Sequence, residues 1–366
     1  MLRFLGGHSF TGEATVEFQC HGSVAVVKSV LAELAAQPGL RLAEPGEFTR
    51  RALINGRLDL TQVEGLADLI EAETEAQRVQ AQRVLTGEVG DLVSVWRQKL
   101  LRAAALLAVS IDFSDEDVPD DVTEDVVDSL NEVRQDLARQ LAGFSAAERV
   151  RNGFEIAIVG APNVGKSTLL NYLAGRDAAI TSEIAGTTRD VIEVKIDLQG
   201  LAVTFLDTAG IRETDDQIER IGVERARFRA AAADLRIFLL DGEMPDVEVR
   251  EGDIIRYAKG DLTGRSDGIS GLSGLGVSVM LEEIQSVLLE RVSGAGLVAR
   301  ERHKACLETA ISAIDGGLEM LKIGAGGYEF AAENIRIALH GLEELLGRVG
   351  VEEILGEIFA SFCLGK

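Results

Sequence analysis

The sequence predicts an α/β domain with a mainly parallel sheet and flanking helices, inserted into an all-α helical domain and preceded by a shortened α+β domain. Three observations carry this. Between residues 151 and 292, short β-rich runs alternate with helical runs, the texture of a parallel sheet covered by helices. On either side, from Asp59 to about Ala147 and from Leu297 nearly to the end, apolar residues recur at helical spacing. Those two stretches would pack on each other as one bundle. The first 58 residues have a third texture, glycine turns between short apolar runs.

The elements follow in order. Thr15 to Gln19 alternates like a half-buried strand. Ser23 to Leu34 has helical spacing, with Val24, Val27, Leu31 and Leu34 on one face. Asp59 followed by Gln62 reads as an N-cap with a capping box, and Leu60, Val63, Leu66, Leu69 and Ile70 form the apolar face behind it. The pattern continues past Trp96 and through Leu100 to Val109. Asp112 to Asp128 carries nine carboxylates and no base, and reads as a solvated connector or helix start. Helical periodicity resumes from Leu130 to about Ala147. Ile156 to Val159, Ala202 to Leu206 and Ile237 to Leu240 are buried-strand candidates.

Composition narrows the function classes. The chain has 366 residues, 46% hydrophobic and 27% charged, which excludes intrinsic disorder and leaves room for two or three domains. Lys and Arg total 37 against 60 Asp and Glu, a net charge of −23. Bulk electrostatics therefore exclude general nucleic-acid binding, and an RNA contact needs a local basic patch or a basic partner. Cys20, Cys306 and Cys363 are odd in number and at no paired spacing, against a disulfide scaffold or zinc ribbon and for a reducing compartment. The four His are scattered and form no metal cluster. No apolar run approaches a membrane span, and Met1-Leu-Arg-Phe4 has no signal-peptide core. The expected location is the cytoplasm.

The strand Ile156 to Val159 leads into Gly160-Ala-Pro-Asn-Val-Gly-Lys-Ser167. This is GxxxxGK[ST], a phosphate loop between a strand and a helix. Gly160, Asn163, Val164, Gly165, Lys166, Ser167 and Thr168 would surround the phosphates. Lys166 supplies a point charge to the β- and γ-phosphates, Ser167 a hydroxyl for Mg²⁺, and the helix running to Leu173 its positive end. Thr188, about twenty residues on, is placed to be a second hydroxyl on Mg²⁺ and to sense the γ-phosphate. Asp207, Thr208, Ala209 and Gly210 follow a strand. Asp207 would hold Mg²⁺ through water, and the Gly210 N–H would face the γ-phosphate. Ala258, Lys259, Gly260 and Asp261 stand where guanine recognition belongs. Asp261 can accept from guanine N1–H and N2–H₂, a pair adenine does not offer. Ser270, Gly271 and Leu272 would close over the base. Together these predict a P-loop GTPase domain selective for GTP.

Two positions depart from the usual pattern. Ala258 stands where Asn is normal, removing the side chain that ties the base loop to the phosphate loop, so weak ground-state binding is expected. Ile211 stands where small GTPases place a water-orienting Gln. A hydrophobe cannot polarise water, and Glu219 is the candidate that replaces it.

Beyond the nucleotide motifs the chain carries Ser9-Phe-Thr-Gly-Glu13, His21-Gly22, Pro45-Gly-Glu-Phe48 with Arg51-Ala52, and Leu58-Asp-Leu60. It also carries Asp207-Thr-Ala-Gly-Ile-Arg-Glu213 with Glu219, and Phe362-Cys-Leu-Gly-Lys366. With these it resembles, over essentially its whole length, the bacterial tRNA modification GTPases of the MnmE (TrmE) family. The resemblance implies a partial folate-binding domain over 1–58, a helical domain over 59–150 and 296–366, and the inserted GTPase domain over 151–295. It implies that the folate-binding domain lacks its first part, since relatives carry a segment ahead of the Ser9 motif. It implies action with the FAD-dependent protein MnmG (GidA) on the wobble uridine (U34) of tRNA. An aminomethyl or carboxymethylaminomethyl group is added there at C5, with 5,10-methylene-tetrahydrofolate as carbon donor.

Residue by residue, the resemblance implies K⁺ at Asn163, Ser182, Ile184 and Thr187. Glu183, Ala185 and Gly186 would line the nucleotide within the same segment. Glu219 would position the attacking water, with Lys166 and Thr188 as the other catalytic residues. Glu17, Arg57 and Lys366 would lie near the reduced folate (methylene- or 5-formyl-tetrahydrofolate), and Cys363 matches the family's terminal cysteine. A homodimer is expected, and no membrane association. The competing readings are a GTPase switch in ribosome assembly or RNA binding, and a degenerate nucleotide-binding scaffold. The helical flanks, the terminal pentapeptide and the lack of a basic RNA-binding module weigh against the first of these.

Overall fold

The computed structural model describes residues 1–112, 121–176, 178–180, 193–207, 231–242, 249–250 and 252–348. The chain divides into two compact units, one formed by Met1–Ile70, Ala81–Ala142 and Arg300–Lys366, the other by Glu71–Gln80 and Gly143–Ala299.

The first unit opens with two short antiparallel strands, β1 (Leu2–Phe4) and β2 (Thr15–Glu17), with Leu2 opposite Glu17. Helix α1 (Val24–Ala35) forms where the spacing predicts it, capped by the Ser23 side chain. Its apolar face is not buried, however: Val24, Val27 and Leu31 are all exposed, and α1 has no buried residue. Helix α2 (Glu47–Ile54) follows. Helix α3 (Leu60–Glu71) starts at the predicted capping box. Asp59 Oδ1 accepts from the Gln62 N–H at 2.9 Å, and Gln62 Oε1 accepts from the Asp59 N–H at 3.0 Å.

Helices α5 (Glu88–Asp112) and α6 (Asp121–Ala142) then pack with two helices from the far end of the sequence, α10 (Glu301–Leu321) and α11 (Tyr328–Leu345). The contacts run α5 to α6, α6 to α10, α10 to α11 and α11 back to α5. Each helix faces the others with residues four or seven apart, among them Trp96, Leu100 and Leu107; Leu130 and Leu137; Leu307 and Ile314; Ile335 and Leu342, all buried. The bundle of two distant stretches is thus formed as expected. Within the acidic stretch, residues from Asp121 onward are helical, while residues 113–120 lie outside the described ones.

A buried ionic knot joins α3 to the start of α10. Glu64 is 3% exposed. It accepts from Arg302 Nη2 at 2.9 Å and from His303 Nε2 at 2.7 Å. Arg302 Nη1 also donates to the carbonyls of Glu344 and Leu345, at 3.1 and 3.0 Å, closing the end of α11. Arg300 pairs with Asp68 at 2.7 Å. Burial pushes the Glu64 carboxyl up, but the His303 hydrogen bond and the Arg302 charge outweigh it and hold the group at about 2. Burial pushes His303 down despite Glu64, so the imidazole is neutral at pH 7. One turn on, burial raises the Cys306 thiol to about 11, an inert packing residue.

In the second unit, five strands lie in the order β4 (Glu193–Leu198), β5 (Leu201–Asp207), β3 (Phe154–Val159), β6 (Leu235–Leu240), β7 (Ile254–Tyr257). All pairs are parallel except the β4–β5 hairpin. The helices α8 (Lys166–Ala174) and α9 (Val277–Val292) bury Leu169, Leu170, Leu173, Val277, Met280 and Ile284 into one core with the strands. The three continuous apolar runs are strands, as read. The helix expected to run to Ala147 instead stops at Ala142 and restarts as α7 (Phe144–Asn152). Gly143 lies at the break, where a Cβ would sit 2.6 Å from the Gly294 carbonyl oxygen. Helix α4 (Glu75–Leu85) spans the unit boundary in sequence.

Candidate nucleotide-binding site

The site forms at the C-terminal ends of the parallel strands, where open α/β sheets bind ligands. β3 ends at Val159 and the chain turns through residues 160–165 into α8. Gly160 is required there, because a Cβ would lie 2.4 Å from the Leu239 carbonyl oxygen of β6. Asn163 and Gly165 both take positive φ, 61° and 121°. Strain at a non-glycine residue in such a loop is typical of a functional turn.

Lys166 is 3% exposed. Its ammonium donates to the Gly160 and Ala161 carbonyls at 2.7 and 2.8 Å. Burial pushes its pKa down, and the Asp207 carboxylate opposes that. A phosphate oxygen would trade those neutral carbonyls for a charged partner. Ser167 Oγ donates to Asp207 Oδ2 at 2.8 Å. Asp207 is the last residue of β5, opposite Ile158 of β3, and is buried. A hydroxyl and a carboxylate side by side, oxygen donors only, suit a hard cation such as Mg²⁺.

The base loop follows β7. Ala258 is buried in the sheet core, its N–H donating to the Leu240 carbonyl at 2.8 Å. Lys259 has φ 56°, and its ammonium pairs with Asp241, the residue after β6. Sequence reasoning missed Asp241; an acid directly behind a strand that ends at the nucleotide loops was the available signal. The Gly260 N–H donates to the Ile269 carbonyl at 3.0 Å, and Asp261 is exposed in the single helical turn Gly260–Thr263. Ser270 is buried, and its Oγ accepts from the N–H groups of Leu272 and Ser273, both at 3.2 Å. Gly271 is pressed onto α8, where a Cβ would be 2.5 Å from the Leu169 nitrogen. Leu272 is left 81% exposed.

The structure therefore gathers the residues from Gly160 to Thr168, Asp207, Ala258 to Asp261 and Ser270 to Leu272 at one end of the sheet. Ser182 to Thr188, Thr208 to Gly210, Glu219, Cys363 and Lys366 lie outside the described residues. In the first unit, Glu17 on β2 and Arg57 after α2 are both exposed. Neither lines the cavity of about 360 Å³ whose walls include Thr11, Glu13, Arg41, Glu47, Phe48 and Arg51. That cavity instead carries a chain of ion pairs, Arg41 to Glu47 at 2.7 Å, Glu47 to Arg51 at 3.0 Å and Arg51 to Glu13 at 2.8 Å. The Arg57 stem lies against Gly12, with Cγ 3.2 Å from where a Cβ would stand.

Comparison with known proteins adds the rest. The GTP-binding protein TrmE N-terminus family matches residues 1–57, and the MnmE helical domain family matches residues 60–363. The chain belongs to the MnmE family. The tRNA modification GTPase MnmE of Roseobacter denitrificans is 58% identical over 371 residues, covering 100% of this chain and 86% of that protein. The protein of the same description from Paracoccus denitrificans is 50% identical over 369 residues with the same coverage. No helix among the described residues of this MnmE-family chain is long and apolar enough to cross a membrane.

Proposed function

We propose that this chain works as the MnmE-type GTPase of tRNA modification. The carrying observation is the Lys166, Ser167 and Asp207 cluster beside a base loop that ends in Asp261, within a chain of MnmE family throughout. Lys166 and the phosphate-loop N–H groups bind the triphosphate, Asp261 reads the guanine edge, and Ser270 to Leu272 cover the base. Ser167 and Thr188, with Asp207 through water, would hold Mg²⁺, which when bound neutralises charge on the β- and γ-phosphates. Glu219 orients the attacking water in place of the absent Gln. Asn163, with Ser182, Ile184 and Thr187, holds K⁺, which supplies positive charge where other GTPases use Arg.

The finer assignments come from the family resemblance. They are the division into 1–58, 59–150, 151–295 and 296–366, C5 modification of U34 together with MnmG, a homodimer, a cytoplasmic location, and a reduced folate near Glu17, Arg57 and Lys366. Among the described residues, Glu17 and Arg57 do not line the charged cavity around Glu47 and Arg51, so the folate assignment rests on the resemblance alone. The test is mass spectrometry of wobble uridines in a strain lacking this gene. Complementation by the intact chain should restore the C5 substituent, and Lys166→Ala should not; restoration by both would remove GTP hydrolysis from the function.

A further inference from the structure

Residues 71–80 precede the phosphate loop by some eighty positions, yet they cluster with the α/β unit. Their contacts are specific. The Ala76 N–H, in the first turn of α4, donates to the Gly200 carbonyl at 3.2 Å, in the turn between β4 and β5. Gln77 Nε2 donates to the Arg151 carbonyl and Gln80 Nε2 to the Ala147 carbonyl, both at 3.0 Å, on the α7 helix that runs into β3. Lys195 of β4 reaches the Glu73 carboxylate at 3.0 and 3.2 Å. Gln77 also caps its own helix, with Oε1 accepting from the N–H groups of Glu73 and Thr74 at 2.9 and 3.1 Å. Gln199 and Gly200, with φ 49° and 96°, form a tight hairpin turn, which fixes the direction of the carbonyl that Ala76 meets.

These contacts sit at the entry ends of two adjacent strands. β3 begins at Phe154, just past Arg151, and ends in the phosphate loop. β5 begins at Leu201, just past Gly200, and ends at Asp207. The strands pair in parallel, with Ile158 opposite Asp207. The separation of Ser167 from Asp207 therefore depends on the relative register of β3 and β5, and one helical turn holds both strands where they start. Extended strands are stiff over this length, at about 3.3 Å per residue, so a displacement at one end is delivered at the other.

Resting on the GTPase reading above, we infer that the first turn of α4 is a brace from outside the GTPase region that positions the Mg²⁺ corner of the nucleotide site. Gln77 is its principal positioning residue. Mg²⁺-nucleotide binding and the state of α4 are then coupled, and α4 continues without a break to Leu85, within the other unit.

The test uses the full chain as wild type, Gln77→Ala and Gln77→Glu. A glutamate at 77 still accepts from Glu73 and Thr74, so the helix cap survives, but it cannot donate to Arg151. Fluorescent GDP binding is titrated without Mg²⁺ and against increasing Mg²⁺. Both variants should need about fivefold more Mg²⁺ for half-maximal effect, the lower end of ordinary site coupling, with the Mg²⁺-free GDP Kd within about twofold of wild type. Wild-type Mg²⁺ dependence in Gln77→Glu alone would show that the cap is all that matters and overturn the inference, as would wild-type dependence in both. In the wild-type chain, protection of the Ala76 amide from hydrogen exchange should change about fivefold on Mg²⁺–GDP binding; unchanged protection overturns the coupling independently of any variant. Failure of the wild-type chain to bind GDP at all would instead sink the GTPase reading.

Discussion

Gly271→Ala tests whether the base-closing loop must lie directly on α8. A Cβ at this position would stand 2.5 Å from the Leu169 nitrogen, 2.7 Å from its Cα and 2.7 Å from the Thr168 carbonyl carbon, all backbone. Ordinary contact begins near 3.4 Å, so the loop must retreat by about 0.9 Å. It cannot swing freely, because the Ser270 N–H is bonded to the Leu275 carbonyl and the Gly274 N–H to the Ser270 carbonyl, both at 2.9 Å. In the free protein the loop relaxes away from α8, and base binding has to press it back. Overpacking of this kind costs about 1–3 kcal/mol, which corresponds to a GDP Kd raised roughly 5- to 150-fold. Titration with a fluorescent GDP reads this directly, and Ser273→Ala, on the exposed part of the loop, serves as control. A Gly271→Ala Kd within about twofold of wild type, in a protein with unchanged melting, refutes the placement of Ser270 to Leu272 over the base.

Two further predictions concern the bundle, and Trp96, the only tryptophan of the chain and fully buried in α5, reports on it. Arg302→Leu strands the buried Glu64 carboxylate and two helix-end carbonyls, and should cost about 3 kcal/mol in urea unfolding, the lower figure for a broken buried pair because the Arg302 side chain is 17% exposed; a loss below about 1 kcal/mol contradicts the knot. His303 faces Glu64 and Arg302 with Arg300 nearby, and burial holds its folded pKa below 6.5. The unfolded chain therefore takes up the proton first, and stability falls as pH drops below 6.5, by at most about 1.4 kcal/mol per unit. Glu64, held at about 2, extends the loss below pH 4.5. His303→Gln should flatten the wild-type slope between pH 6.5 and 5, and an unchanged slope assigns that loss to other groups.

Local signals were legible in the sequence and distant pairings were not. Phe154–Val159, Leu201–Asp207 and Leu235–Leu240 are nearly continuous apolar runs, buried on both faces of a parallel sheet. β4 escaped notice because it is an edge strand whose Glu193 and Lys195 face outward between Val194, Ile196 and Leu198. β7 is only four residues long. The break at Gly143 depends on the close approach of Gly294, about 150 residues away in sequence. Of the site, the phosphate loop and Asp207 could be read because backbone geometry and chemistry fix their spacing. The Lys259–Asp241 pair, the bond from Gln77 to Arg151 and the Glu64–Arg302 pair join residues 18, 74 and 238 positions apart. No periodicity or motif encodes these, since each exists only once the strands and helices have packed. The α1 face fails in the opposite sense, with a clear amphipathic pattern that forms a helix but is not buried among the described residues.

The most direct measurement is steady-state GTP turnover by the purified full chain, in K⁺ and in Na⁺ at equal ionic strength, beside Lys166→Ala. Lys166 is the buried cation at the mouth of the phosphate loop, and removing a charge clamp on a transferring phosphoryl group is worth about 3–4 kcal/mol. The expected result is Mg²⁺-dependent hydrolysis that is faster in K⁺ than in Na⁺ and falls at least about a hundredfold in Lys166→Ala. Equal turnover by the wild type and Lys166→Ala would contradict the assignment of the site.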